Sequence, residues 1–229
     1  MLQKLEVSRL DLDFFRATNM DVIENVMLKD NRWKSQFETG TSNGCLGPSY
    51  RASAENSFFG FVNDSEKNKE KRPIYGYFTE GEHGEINNYG RIPPPTNVVQ
   101  YGRVNFKIKK DIALRKATVT FHDSLNESHG GGFMPTPASK VHFTSLRVKP
   151  YSGMNGRFYL KDFKEARTTN WNESYTEAQF HGQLTMEDIE SIHISTENGL
   201  SDDEMDHVRA IFRKYKKQHP ESNIQLIEY

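Results

Sequence analysis

The spacing of apolar positions changes along this chain, and each change marks a predicted element. Residues 4–30 read as two short helices. Leu10, Phe14 and Phe15 share one face of the first, and Val22, Ile23, Val26 and Met27 recur at helical spacing in the second, behind Thr18 or Asn19 as its cap. Residues 36–49, QFETGTSNGCLGPS, are small, polar and glycine-rich and read as a loop, and the charged run DSEKNKEKR at 64–72 reads as a solvated connection. From Pro73 the signature turns to strands: IYGYF at 74–78, the alternating VNFKIK at 104–109, and ATVTF at 117–121. Between the last two, KDIALRK is either a helical turn or a broad hairpin connection, and the three prolines at 93–95 forbid regular structure where they stand.

Beyond the glycine-rich stretch 125–139, read as a loop, further short strands are predicted at 141–146, 158–160, 175–180 and 189–195. Ser201 and Glu204 form a capping box for a final helix carrying Met205, Val208, Phe212 and Tyr215, and residues 223–227 read as a closing strand. Helices in front, many short strands, then one helix and a strand predict a single α+β domain over residues 1–229, with 1–35 as its helical N-terminal part.

Composition narrows the picture. Apolar residues are only 35% of the chain, but 15 Phe, 10 Tyr and 2 Trp supply large buried areas, so a packed core is expected. With 30 Lys plus Arg against 31 Asp plus Glu, the net charge of −1 provides no global basic field for nucleic acid or membrane. The single cysteine, Cys45, excludes an internal disulfide framework and a Cys-rich zinc site. The N-terminal residues lack the apolar run of a signal peptide, and no window approaches the roughly 18 apolar residues of a membrane span. The expected setting is the cytoplasm, with delivery to another cell by a leaderless route left open and no membrane partner.

Nucleotide-loop, nucleophile-elbow and zinc-helix motifs are absent. His181 reads as a turn residue, and Cys45 has no cationic activator beside it. Three stretches stand apart. QFETGTSNG at 36–44 is dense in donors and acceptors. Arg72-Pro73-Ile74-Tyr75-Gly76 sets an arginine at the mouth of an aromatic strand, and a guanidinium fork suits a diphosphate. In TEAQFHG at 176–182, Glu177 and Gln179 project from one face of a strand while Ala178 and Phe180 project from the other. Lys107, Lys109, Lys110, Arg115 and Lys116 form a candidate basic patch for phosphates.

These stretches, with YGRVNF, RKATVTFHDS and DIESIHI, resemble a family of uncharacterised bacterial proteins that is itself similar to the ADP-ribosyltransferase superfamily. The resemblance covers roughly residues 33 to 195 and implies a split antiparallel sheet core with N-terminal helices and a C-terminal helix. It implies an enzyme that takes NAD as substrate, without a metal, and transfers ADP-ribose to a protein or nucleic-acid acceptor. It also implies a bacterial or phage toxin, effector or defence role, and with it a neutralising partner. On this basis Glu177 takes the catalytic position and Gln179 orients the acceptor. Arg72, Tyr75, Gly76, Tyr101 and Ser124 fall to NAD, with Thr144-Ser145 as the other hydroxyl motif. Tyr175 stands where arginine-modifying relatives carry Glu or Gln, which argues against arginine as acceptor. A non-catalytic binding module, or a different NAD-using transferase, would fit the same scaffold.

Overall fold

The computed structural model describes residues 12–40, 51–52, 55–56, 66–80, 84, 86–87, 90–91, 96–120 and 176–229. Within them the strands are β1 (Leu12–Thr18), β2 (Ile74–Glu80), β3 (Ile86–Asn87), β4 (Gly90–Arg91), β5 (Val104–Ile108), β6 (Ala117–Thr120), β7 (Thr176–Phe180), β8 (Ile189–Ile194) and β9 (Gln225–Glu228). The α-helices are α1 (Met20–Glu24), which runs on as a π-helix over Asn25–Asp30, α2 (Gln36–Thr39), α3 (Lys110–Lys116) and α4 (Asp202–Gln218). The expected α+β class is what the structure shows. No helix among the described residues is long and apolar enough to cross a membrane.

Seven strands form one mixed sheet in the order β6-β7-β2-β1-β5-β8-β9, antiparallel throughout except for the β8–β9 pair. β1 sits at its centre, which overturns the helix expected around Phe14 and Phe15. A central strand is buried on both faces, so consecutive phenylalanines serve it well: Phe14 joins the main core, and Phe15 packs with Ala17, Tyr77 and Val98 on the opposite face. The second N-terminal helix does form, burying Ile23, Val26 and Met27, while Val22 turns outward.

Other expectations change or are resolved. Residues 36–39 are a helical turn, because Ser35 and Glu38 make a reciprocal capping box. Glu66–Lys71 winds as a 3-10 helix, and KDIALRK takes the helical option. VNFKI is a strand as expected, yet all five residues are buried, since it lies between β1 and β8. The expected strands at 141–146 and 158–160 lie outside the described residues.

The two faces of the sheet differ. One is apolar: Phe14, Ile74, Phe78, Phe106, Ala178, Phe180, Ile192 and Ile194 pack with residues of α1, the π-helix and α4, including Met205, Val208 and Ile211. The other is polar yet still buried, carrying Glu177, Gln179, Asn105, Lys107, Ser191 and His193. Buried polar groups cost free energy unless partnered. Here Tyr77 donates to Asn105 at 2.7 Å, Lys107 pairs with Asp13 at 3.2 Å and Glu190 at 3.1 Å, and the Ser191 hydroxyl meets His193 Nε2 at 2.8 Å.

The sheet splits at its centre. β1 pairs with β2 from Leu12↔Glu80 to Phe15↔Tyr77 and then stops. Beyond that point β1 stays with β5 as far as Thr18↔Val104, while β2 stays with β7 as far as Ile74↔Phe180. Gly76 stands at the parting. A Cβ there would lie 2.2 Å from the Phe15 carbonyl oxygen and 2.8 Å from the Phe180 ring, so only glycine lets the strands approach before diverging. Gly76→Ala should therefore destabilise the fold by about 1–3 kcal/mol, the usual cost of overpacking. Thermal unfolding reads this, and an unchanged midpoint would contradict the tight approach.

A candidate active site at the split of the sheet

A cavity of about 290 Å³ opens where β1 and β2 part. That volume lies at the low end for small-molecule pockets. β1 contributes Arg16 and Ala17; β2 and its lead-in contribute Pro73, Ile74, Tyr75, Gly76 and Tyr77; β7 contributes Glu177. The π-helix wall supplies Asn25, Val26 and Asp30, and π-turns recur at functional sites. Val98 and Tyr101 come from the 3-10 helix Thr96–Tyr101, and Arg51 and the segment around Trp33 complete the lining. Gly102 brings Tyr101 in: its φ of +140° and a virtual Cβ 2.1 Å from the Thr18 carbonyl carbon leave no room for a side chain against the end of β1.

Glu177 is 3% exposed and faces the cavity. The β2–β7 register sets Tyr77 opposite Glu177 and Tyr75 opposite Gln179, so all four share the polar face. The Gln179 amide donates to Glu177 Oε1 at 2.6 Å and is itself buried. Gln179, expected from sequence to orient the acceptor, is not among the residues that line the cavity.

The cations of the lining are Arg16, Arg32, Lys34 and Arg51, against the carboxylates Asp30 and Glu177. Arg32 is committed to Glu38 through a fork at 2.6 and 3.2 Å, and Lys34 to Asp30 at 2.8 Å. Glu38 is held below the usual carboxylate range: burial opposes ionisation, but the Arg32 fork and the Ser35 N–H outweigh it. Arg51 is different. It is 5% exposed, its guanidinium lies 5.0 Å over the Tyr75 ring, and its buried Nε finds no hydrogen-bond partner among the described residues. Burial pushes the Tyr75 hydroxyl well above its ordinary value, and the Glu55 charge adds to the shift. Tyr75 therefore stands as a neutral donor.

Of the residues expected from sequence, Tyr75, Gly76, Tyr101 and Glu177 converge on this cavity. Arg72 is not among the lining. It is 1% exposed behind β2, paired with Glu55 at 3.2 Å and packed on the Phe37 ring at 4.5 Å. Ser124, Thr144, Ser145, Cys45 and Tyr175 lie outside the described residues. His181 follows β7, its N–H bonded to the Lys116 carbonyl, and does not line the cavity. Of the candidate basic patch, Lys107 is buried in its two ion pairs, Lys109 reaches the Glu187 carbonyl, Arg115 makes an exposed pair with Asp111, and Lys116 pairs with Asp188. Arg16 and Arg51 also line the cavity and are not among the residues expected from sequence. Arg16 had a signal, a lone charge inside the apolar run FFRAT, whereas Arg51 had none in its neighbours. Among the described residues no group of three or more His, Cys, Asp or Glu is placed to hold a metal ion.

A family model described as a protein of unknown function (DUF3626) matches residues 11–141, more than half of the chain and ending short of Glu177. No curated protein matches the sequence. Among solved structures, the chain is similar to DarT of Thermus sp. 2.9 in complex with ADP-ribosylated ssDNA, at 10% identity and a TM-score of 0.46, covering 95% of this chain and 93% of that one. The same protein in complex with NAD+ gives 9% identity and a TM-score of 0.44, with 96% of each chain covered. DarTG of Thermosipho africanus in complex with ADP-ribose gives 12% identity and a TM-score of 0.40, covering 94% of this chain and 49% of that one.

Proposed function

This chain belongs to the DUF3626 family of proteins of unknown function, and from its cavity we propose that it is an NAD-dependent ADP-ribosyltransferase. One observation carries the proposal: a buried carboxylate, Glu177, held by Gln179, faces a cavity whose walls combine tyrosine rings with an arginine stacked on one of them. This is the combination that cleavage of a nicotinamide–ribose bond requires. Breaking that bond develops positive charge on the ribose, as in glycoside hydrolysis. A preorganised carboxylate stabilises that charge at no reorganisation cost.

In this reading Arg51 takes the diphosphate, and Tyr75 and Tyr101 pack against the nicotinamide ring. Glu177 accepts a hydrogen bond from a ribose hydroxyl. The C1′–N bond breaks with its electron pair leaving on neutral nicotinamide. The acceptor nucleophile then forms the new bond to C1′ and loses its proton. Tyr77 is spent on Asn105 and serves as wall. Arg72 and Gln179 serve behind the cavity rather than in it.

Incubation with NAD labelled in the adenylate portion tests the proposal. Nicotinamide should be released and label should appear on a macromolecular acceptor, whose class the labelled fraction identifies. Intact NAD after incubation with the folded protein and a lysate would overturn it. Arg51→Ala should weaken NAD binding by about 1.5–3 kcal/mol, the range for hydrogen bonds to charged groups, or roughly 10- to 100-fold. Calorimetric affinity equal to wild type would remove Arg51 from the site.

A further inference from the structure

Behind the cavity lies a buried chain of contacts that, among the described residues, reaches the lining at Tyr75 and Arg51. Glu55, 1% exposed and four residues after Arg51 in sequence, accepts from the Tyr75 hydroxyl at Oε1 (2.7 Å) and from Arg72 Nη1 at Oε2 (3.2 Å). Arg72 is seated on the Phe37 ring, and Arg51 on the Tyr75 ring. Tyr75 and Arg51 line the cavity, whereas Glu55 and Arg72 do not. We infer that Glu55 is a positioning residue that fixes Tyr75 and Arg51 in the cavity wall and couples the binding of an anionic ligand there to uptake of a proton. The inference rests on reading the cavity as an NAD site.

The groups facing Glu55 are Arg72 and Tyr75 from the start of β2 and Arg51 from its own segment, while Glu177 acts on Tyr75 from β7. Burial pushes the Glu55 carboxyl up from 4.5 to about 7, against the pull of the Tyr75 hydrogen bond and the two arginines. It therefore changes charge near neutrality. Part of what keeps it ionised is the positive field of Arg51. A phosphate placed on Arg51 cancels some of that field, so the bound state holds the Glu55 proton more firmly. Linkage is reciprocal, and protonating Glu55 must tighten the anion by the same factor. Tyr75 stays anchored in both states, because the carbonyl oxygen of a neutral carboxyl still accepts its hydroxyl.

Calorimetric titration of NAD into the full chain, in buffers of unlike ionisation enthalpy, tests this. NAD has no proton of its own to exchange near neutrality. With a coupling of about fivefold, the low end for linked sites, affinity should weaken about fivefold as pH rises across neutrality. About a third of a proton should be taken up per NAD bound near pH 7. Glu55→Gln should abolish both effects. Tyr75→Phe, which keeps the Arg72 pair, should move the uptake maximum to higher pH by removing a bond that favours the charged form. Binding without proton exchange, or a maximum unmoved by Tyr75→Phe, would overturn the inference while leaving the transferase reading intact. Proton uptake without nicotinamide release would do the reverse, and absence of NAD binding would sink both.

Discussion

Glu177→Gln should lower nicotinamide release from NAD on the order of 10²–10³-fold while leaving NAD affinity near wild type. The exchange preserves size and an acceptor oxygen but removes the charge that, in the proposed reaction, faces the developing ribosyl cation. A donor or charge aimed at the transition state contributes about that factor when removed. It lowers kcat rather than binding, since it acts mainly in the transition state. The neighbouring Gln179 amide, 2.6 Å from Glu177 Oε1, is a donor and can still find the new amide's oxygen, so the fold should survive. Glu177→Asp should also fail, because the carboxylate retreats by one methylene from the cavity and from Gln179. Steady-state nicotinamide release, after circular dichroism confirms folding, checks both. A Glu177→Gln enzyme with near wild-type turnover would remove the carboxylate from the mechanism.

Arg72→Ala should act on stability, costing about 3–5 kcal/mol, as expected when one partner of a buried ion pair is deleted and the other stays. Both Arg72 and Glu55 are 1% exposed, so the abandoned carboxylate has no water to turn to. It escapes by holding its proton, and this gives the loss a pH signature. The folded Glu55 carboxyl titrates at about 7, above its ordinary 4.5. The folded state therefore binds a proton that the unfolded chain releases in that window, so this group's contribution to stability declines as pH rises from 4.5 to 7 and levels above. Without Arg72 the carboxyl titrates higher still, and the decline continues past 7. The gap between variant and wild type should thus be small in mild acid and widen above neutrality. Urea unfolding across that range measures it. A gap independent of pH would mean that Arg72 does not stabilise the fold through its charge on Glu55.

These contrasts show what the sequence carried and what it did not. β7 was legible because its faces differ chemically: Ala178 and Phe180 go to the apolar core, Glu177 and Gln179 to the polar side. α4 was legible because Ser201 and Glu204 announce its start and its apolar stripe faces one way. β1 was not, since a strand buried on both faces loses the alternation that distinguishes a strand from a helix. The Phe14-Phe15 doublet served both readings equally. Asn105 and Lys107 alternate with Val104, Phe106 and Ile108 as expected for a strand, and the face they share is polar yet buried. Arg72 was misplaced for a related reason. A cation at the mouth of an aromatic strand looks the same whether it lies in a cavity or behind its wall, and only the position of Glu55 decides. Arg51 and Glu55 carry no local signal because their roles arise from contacts with β2, about 20 residues further along the chain.

The most direct test of the central claim, that the cavity at the split of the sheet receives NAD, is titration of NAD into the purified chain and into Arg51→Ala and Glu177→Gln. The account predicts saturable binding at one site, weakened in Arg51→Ala and retained in Glu177→Gln. Absence of saturable binding, or an affinity unchanged by Arg51→Ala, would contradict it.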